Sequence, residues 1–332
     1  MKFRPLIPAL SLLAILVACL AAPLSAQLAS SGVVAQAAKP APPPEAPQAE
    51  QVVDVPFTFD VTRVNVLFAV TDKRGRFVTD LDRDDFQVFE NKKPQNILEF
   101  TAETDLPLRI AILVDTSNSI RERFRFEQEA AIQFLNKALR PGQDRAIVVG
   151  FDSIPEIQTE LTDNLEVLSK SLRDMRPGGG TSLYDAIFYT SQERLGKDQP
   201  LYKFRRAMVI LSDGEDTQSR KTRDQALELA QKTDVVIYTI STNISRRATS
   251  GDKVLRYFAD ETGGLSFFPF KVEDLEQSFE NIANELRHQY NLYYRPDPLR
   301  TDGSYQSIDL RVKDRKNFSV RARKGYYAPR LP

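Results

Sequence analysis

The sequence predicts an α/β protein in which a Rossmann-like, mostly parallel central sheet with helices on both faces is inserted between flanking strands of a small β-sandwich-like domain. Three observations carry this expectation. Strand and helix patterns alternate between residues 105 and 288, strands with a period of two occur on both sides of that stretch, and neither flank is long enough to bury a core alone. With 332 residues and 42% hydrophobic content, the chain can support one large core and a smaller companion. Lys+Arg and Asp+Glu both number 45, so no field of one sign draws the protein as a whole onto nucleic acid or an anionic membrane.

Residues 1–26 read as a secretory leader. Lys2 and Arg4 precede an apolar run from Leu6 to Leu20, and small residues follow to Ala26. Cleavage after Ala26 is one route of processing. The other runs through Cys19, because Leu16-Val17-Ala18-Cys19 resembles the lipobox of bacterial lipoprotein precursors, and acylation there would give a membrane tether, as would a retained leader. Either way the expected location is extracytoplasmic: periplasmic, secreted or lipid-anchored. Cys19 is the only cysteine, so a chain cut after Ala26 has no disulfide and no zinc–thiolate site. Residues 27–52, with Pro40-Ala41-Pro42-Pro43-Pro44, are too poor in large apolar side chains to offset ordering entropy and are expected to form a disordered Ala/Pro-rich linker.

The β domain begins at residue 53 and its first part runs to 104. Val64, Val66, Phe68 and Val70 alternate, a turn follows at Asp72-Lys73-Arg74-Gly75, and Phe86, Val88 and Ile97 continue beyond it, with Glu90 to Pro94 as a turn. Its second part, 289–332, alternates through Tyr290, Leu292 and Tyr294, then Ile308, Leu310 and Val312, then Phe318, Val320 and Ala322. Between them, strands are expected at 109–114, 145–151, 207–211, 235–240 and 265–268. Helices are expected at 121–139, 165–175, 182–195, 222–232, 253–261 and 275–288.

In open sheets of this kind ligands sit beyond the carboxyl ends of the strands, near a topological switch point. Three segments bring oxygens to that edge: Asp115-Thr116-Ser117-Asn118-Ser119 after the first long strand, Gly178-Gly179-Gly180-Thr181 at a helix start, and Ser212-Asp213-Gly214 after a later strand. Asp115, Ser117, Ser119, Thr181 and Asp213 offer hard oxygens only, a donor set that favours Mg²⁺, or Mn²⁺ or Ca²⁺, over zinc or copper. Because hydroxyls carry no charge, a cation held by two carboxylates stays electrophilic enough to accept a third from outside.

In order, spacing and position these residues resemble the metal-ion-dependent adhesion site of von Willebrand factor type A domains, a likeness that spans roughly residues 105 to 288. The resemblance implies that Ser117 and Ser119 ligate the cation directly, Thr181 directly or through water, and Asp115 and Asp213 largely through water. It also implies a sixth position taken by a Glu or Asp of a partner protein, and no enzymatic activity. The flanks, Val61 to Val66, Thr71 to Gly75, Leu81 to Phe86 and Arg323-Lys324-Gly325-Tyr326-Tyr327, resemble an acidobacterial subfamily of exported type A proteins.

Other readings of the same residues are bland or belong to other classes. Taken singly, the Asp115–Ser119 segment could cap a helix, Thr181 could be an N-cap and Asp213-Gly214 a turn. The glycine run lacks the Gly-Lys-Ser/Thr of a nucleotide-binding loop. His288, the only histidine, falls near a helix end and reads as solvated or capping. Glu215 and Asp216 read as a solvated loop or rim of the binding surface, and Arg246, Arg247, Arg321, Arg323 and Lys324 as solvated faces. Two alternatives to a binding module are a Mg²⁺-dependent hydrolase, for which Ser117 stands where an Asp-x-Asp phosphatase has its second carboxylate, and an envelope component whose metal site is inactive.

Overall fold

The computed structural model describes residues 63–102, 106–118, 124–198, 203–243, 247–313 and 317–330. The expected leader, Cys19, the linker, residues 53–62, Ser119 and Arg246 lie outside the described residues. None of the described helices is long and apolar enough to cross a membrane.

Five strands of the central sheet are parallel: β5 (Leu108–Asp115), β6 (Arg145–Phe151), β8 (Arg205–Ser212), β9 (Val235–Ser241) and β10 (Ser266–Phe267). A short strand, β7 (Pro155–Ile157), closes one edge antiparallel to β6, giving the order β10-β9-β8-β5-β6-β7. Every residue of β5 and β8 is buried, as both faces of the sheet are covered. Alternation along β5 sorts its side chains between two cores. Ile110, Ile112 and Val114 pack with Phe134, Leu168 and Ile282 of helices α1 (Phe124–Ala138), α2 (Leu165–Asp174) and α6 (Val272–Glu285). Ala111 and Leu113 face the other way, toward Leu183, Leu227 and Phe258 of α3 (Leu183–Glu193), α4 (Arg223–Lys232) and α5 (Ser250–Thr262).

The chain leaves β5 toward β6 and β7, then returns to the other side of β5 to lay down β8, β9 and β10. The switch point therefore falls between β5 and β8, whose carboxyl ends carry Asp115 and Ser212.

The flanks pair across the inserted sheet. One antiparallel sheet has the order β13 (Phe318–Ala322), β1 (Val64–Asp72), β11 (Tyr290–Tyr294), β4 (Ile97–Thr101); the other has β14 (Gly325–Tyr327), β12 (Tyr305–Val312), β2 (Phe86–Glu90), β3 (Lys93–Gln95). Their shared core joins Val66, Phe68 and Val88 from before the insertion to Tyr290, Leu292 and Leu310 from after it, with Phe68 stacked on Tyr290 at 5.3 Å between ring centroids. Each half of the sandwich supplies strands that the other must complete, which is why neither flank carries its own core.

Arg321 and Arg323 depart from the solvated-face expectation. Arg321 is ion-paired with the fully buried Glu285 at the end of α6, and Glu285 also accepts a hydrogen bond from the Tyr238 hydroxyl at 3.1 Å. Arg323, with 12% of its side chain exposed, pairs with Asp234 at 2.5 Å and donates to the Asn65 carbonyl. Strand alternation cannot reveal this, because the paired acids, Glu285 and Asp234, belong to the central α/β part of the chain. His288 lies at the end of α6 with Nδ1 2.6 Å from the Asn284 carbonyl, its ring stacked on Phe77.

Candidate metal centre

Asp115 is the last residue of β5 and has no solvent exposure. Its Oδ1 accepts the Ser117 backbone N–H at 2.8 Å, folding the chain into a tight turn as it leaves the sheet, and its Oδ2 accepts the Ser212 hydroxyl at 2.7 Å from the neighbouring strand. The Ser117 side chain also bonds the carboxylate and is itself buried. Burial pushes the Asp115 carboxyl up to about 6; the bonds from Ser212 and Ser117 resist this, and the nearby charge of Asp213 adds to it. Neither Asp115 nor Asp213 is ion-paired with Lys or Arg among the described residues.

The glycine loop is brought against this turn by two bonds. Gly178 N–H donates to the Thr116 carbonyl at 2.6 Å, and the Asn118 side-chain amide donates to the Gly179 carbonyl at 3.3 Å. Gly179 has φ +82°, and a Cβ there would lie 2.9 Å from Asp152 Oδ2, so the position suits glycine on both counts. Thr181 is buried at the end of the loop, with its backbone N–H donating to the Thr217 hydroxyl at 3.1 Å and its carbonyl accepting from Thr217 and Gln218 N–H, both at 2.9 Å.

Asp213 follows β8 and is half-buried. Its Oδ1 accepts the Glu215 N–H at 3.1 Å. The next residue, Gly214, has φ +80° and packs so closely on α5 that a Cβ would stand 2.2 Å from the Gly251 carbonyl oxygen. Of the five expected site residues, Asp115, Ser117 and Asp213 therefore lie together where β5 and β8 end, and Thr181 follows a glycine loop that is bonded to the turn after β5; the fifth, Ser119, lies outside the described residues.

The donor set fits a hard divalent cation. Among the five expected residues hydroxyls outnumber carboxylates and every donor is an oxygen, the set that hard cations prefer. A buried carboxylate faced by neutral hydroxyls and a second acid is an environment that a cation stabilises and a basic side chain does not supply.

Residues 110–215 match the family model of the von Willebrand factor type A domain, a stretch that contains every residue of this site. Over those residues the chain is similar to the von Willebrand factor type A domain. A human relative, von Willebrand factor A domain-containing protein 3B, is 27% identical over 173 residues, which are 50% of this chain and 12% of that protein. The chain thus spans only a small part of that relative. Among solved structures, proximal thread matrix protein 1 from the mussel byssus, with a zinc-occupied metal-ion-dependent adhesion site, aligns at 16% identity and TM-score 0.47 over 58% of this chain and 48% of that one. A von Willebrand factor type A protein from Catenulispora acidiphila aligns at 11% identity and TM-score 0.48 over 82% of this chain and 75% of that one.

Several residues around this site have roles that sequence reasoning missed. Ser212 stands in one of the three oxygen-bearing segments but outside the five expected ligands, yet its hydroxyl holds Asp115 and accepts the Gly214 N–H at 3.0 Å. Its signal was its place immediately before Asp213 on a strand paired with that of Asp115. Glu215 and Asp216 are not merely a solvated rim. Glu215 accepts the Ser250 hydroxyl at 2.6 Å and the Gly251 N–H at 3.2 Å, at the N-terminus of α5, while Asp216 accepts the Tyr184 N–H at 3.0 Å, in the first turn of α3. Adjacent acids in a loop read as solvated until the helices they cap are known to converge. Thr181 is not the N-cap of α3; Ser182 holds that position, without a side-chain cap bond.

Proposed function

We propose that this protein is an exported adhesion-type module in which Asp115, Ser117, Ser119, Thr181 and Asp213 hold one divalent cation, Mg²⁺ or else Mn²⁺ or Ca²⁺. On this reading the cation captures a Glu or Asp side chain of a partner protein, and no substrate is turned over. The observation that carries the reading is Asp115: a carboxylate with no solvent exposure, bonded to two serines, near a second acid and away from any basic partner among the described residues. Bound there, a cation would supply positive charge at an open edge of the sheet, where a carboxylate from outside can add to it. Export, through the leader at residues 1–26 or a lipid on Cys19, would place the module where Mg²⁺ and Ca²⁺ are available and partner surfaces are exposed.

Catalysis receives less support. Asp115 and Asp213 are both committed to the cation on this reading, and His288 sits at the far end of α6, bonded to its own helix. Calorimetric titration of Mg²⁺ and Mn²⁺ into the full chain tests the metal: saturable heat and a metal-dependent rise in melting temperature are expected, and neither should survive in Asp115→Ala. Crosslinking in intact cell envelopes, with and without chelator, tests the partner. Turnover of phosphate esters that requires Mg²⁺ and is lost in Asp115→Ala would instead establish a hydrolase.

A further inference from the structure

The five expected ligands do not explain what keeps the Thr181 and Asp213 segments in register. Asp115 is held by strand pairing, but Asp213 opens a ten-residue connection, 213–222, between β8 and α4 that contains no regular element. Two carboxylates lash this connection to the start of α3. Asp216 reaches from the connection to the helix: its Oδ2 accepts the Tyr184 N–H at 3.0 Å and the Ser219 hydroxyl at 2.6 Å, and its Oδ1 accepts the Ser219 N–H at 3.2 Å. Asp185 reaches the other way, from α3 to the connection. It is buried, and it accepts the Arg220 N–H at 3.1 Å and the Lys221 N–H at 2.8 Å. Ser219 closes the exchange by accepting the Asp185 N–H at 2.9 Å.

We infer that Asp185 and Asp216 are positioning residues of the metal centre, and that this reciprocal lashing sets the preference of the site for a small cation over a larger one. The inference rests on the metal reading above and concerns residues that do not themselves face the ion. Among the described residues, Thr181 and Asp213 are joined through this network, through the backbone bonds of Thr217 and Gln218 to the Thr181 carbonyl, and through the Thr181 N–H to the Thr217 hydroxyl. A frame locked at both ends cannot expand to follow the ion. Mg²⁺ demands near-ideal octahedral geometry at about 2.0–2.1 Å, whereas Ca²⁺ accepts irregular shells at about 2.3–2.6 Å. Loosening the frame therefore harms Mg²⁺ binding more than Ca²⁺ binding. A role confined to capping would instead lower thermal stability and leave the ratio of the two affinities unchanged.

The experiment is a calorimetric titration of MgCl₂ and of CaCl₂ into the full chain, wild type and the variants Asp185→Asn and Asp216→Asn, with melting curves for each. We expect Mg²⁺ affinity to fall by about 10- to 100-fold in each variant, the range found for partners that orient metal ligands, with Ca²⁺ affinity falling less. Because both act on one unit, the double variant should lose less than the product of the single losses. Equal proportional losses for the two ions, or affinities unchanged from wild type, would overturn the inference while leaving the metal reading intact. A wild type that binds neither ion overturns both. If Asp185→Asn does not fold, Asp216→Ser, altered in the half-exposed connection, carries the same comparison.

Discussion

Two aspartates without solvent exposure sit at opposite ends of the central sheet and are treated in opposite ways by the fold. Asp144, just before β6 at the amino end, accepts the Leu108 N–H at 2.8 Å, the Arg140 N–H at 2.9 Å, the Arg140 guanidinium at 3.1 Å and Arg287 at 3.1 Å. Burial alone would raise its carboxyl, but these bonds from two arginines and two backbone amides outweigh it and hold the group below the usual carboxylate range. Asp115, at the carboxyl end, is raised to about 6 by burial, with only serine bonds to resist it. The difference separates a carboxylate that the chain neutralises with arginine from one that it does not, the group to which the proposed function assigns a cation. Burial by itself does not distinguish them; the partners do.

The largest expected effect comes from the amino end. Asp144→Ala leaves Arg140 and Arg287 without their shared counter-charge and strips the acceptor from the buried start of β5, so a loss of about 3–5 kcal/mol is expected, the range for breaking a buried pair. Urea unfolding checks it, and a loss below about 1 kcal/mol would mean that the arginines are adequately solvated without Asp144. At the carboxyl end the sign reverses. Asp115→Asn keeps the shape and most of the bonds but removes the charge, so the metal-free protein at pH 7.5 should melt at the same or a higher temperature, a gain of up to about 3 kcal/mol. The same variant should show no Mg²⁺ heat in calorimetry.

Proton linkage sharpens the contrast. A carboxyl raised to about 6 in the fold and near its ordinary value when unfolded binds more protons in the folded state between those values. The metal-free fold therefore loses stability as pH rises from about 4 to about 6 on account of Asp115, and regains it on acidification. The melting advantage of Asp115→Asn over wild type should accordingly close as the buffer is taken from pH 7.5 to 4.5. Mg²⁺ affinity should decline as pH falls through about 6, because a protonated carboxyl is a poor ligand. Asp144 behaves oppositely: its folded value is lowered, so its stabilisation is present above the unfolded value and lost as pH falls through the folded one. A Mg²⁺ affinity that is flat between pH 5 and 7.5 would show that Asp115 is ionised throughout.

The smallest effect is expected at Ser212. Ser212→Ala removes one bond to Asp115 and one acceptor for the Gly214 N–H, a change of about 1–3 kcal/mol in metal-free stability, with weaker Mg²⁺ binding. Because the variant removes a bond that lowers the Asp115 carboxyl, the decline of Mg²⁺ affinity with acid should begin at higher pH than in wild type, which titrations at several pH values would detect.

Much of the fold was legible because burial imposes periodicity. The parallel strands at 108–115, 145–151, 205–212 and 235–241 are apolar runs covered on both faces, and the helices between them carry apolar residues at helical spacing, so their order announces the architecture. Strand β7 escaped notice. Its three residues, Pro155 to Ile157, are half-buried or exposed, and nothing in so short a segment marks it as a strand; its place follows from the register Val149↔Ile157 against β6. Arg321 and Arg323 misled for a related reason, since an arginine on an alternating strand reads as solvated unless the acid opposite it is known.

Residue chemistry and order along the chain therefore determined the layered α/β architecture, the three oxygen-rich segments and the all-oxygen character of their donors, because each depends on composition and local period. Contact alone decided which acid is balanced by arginine and which is not, that Ser212 grips Asp115, and that Asp185 and Asp216 bind a loop to a helix. Those facts depend on bonds between residues 32 to 143 positions apart in sequence, and no local pattern encodes them.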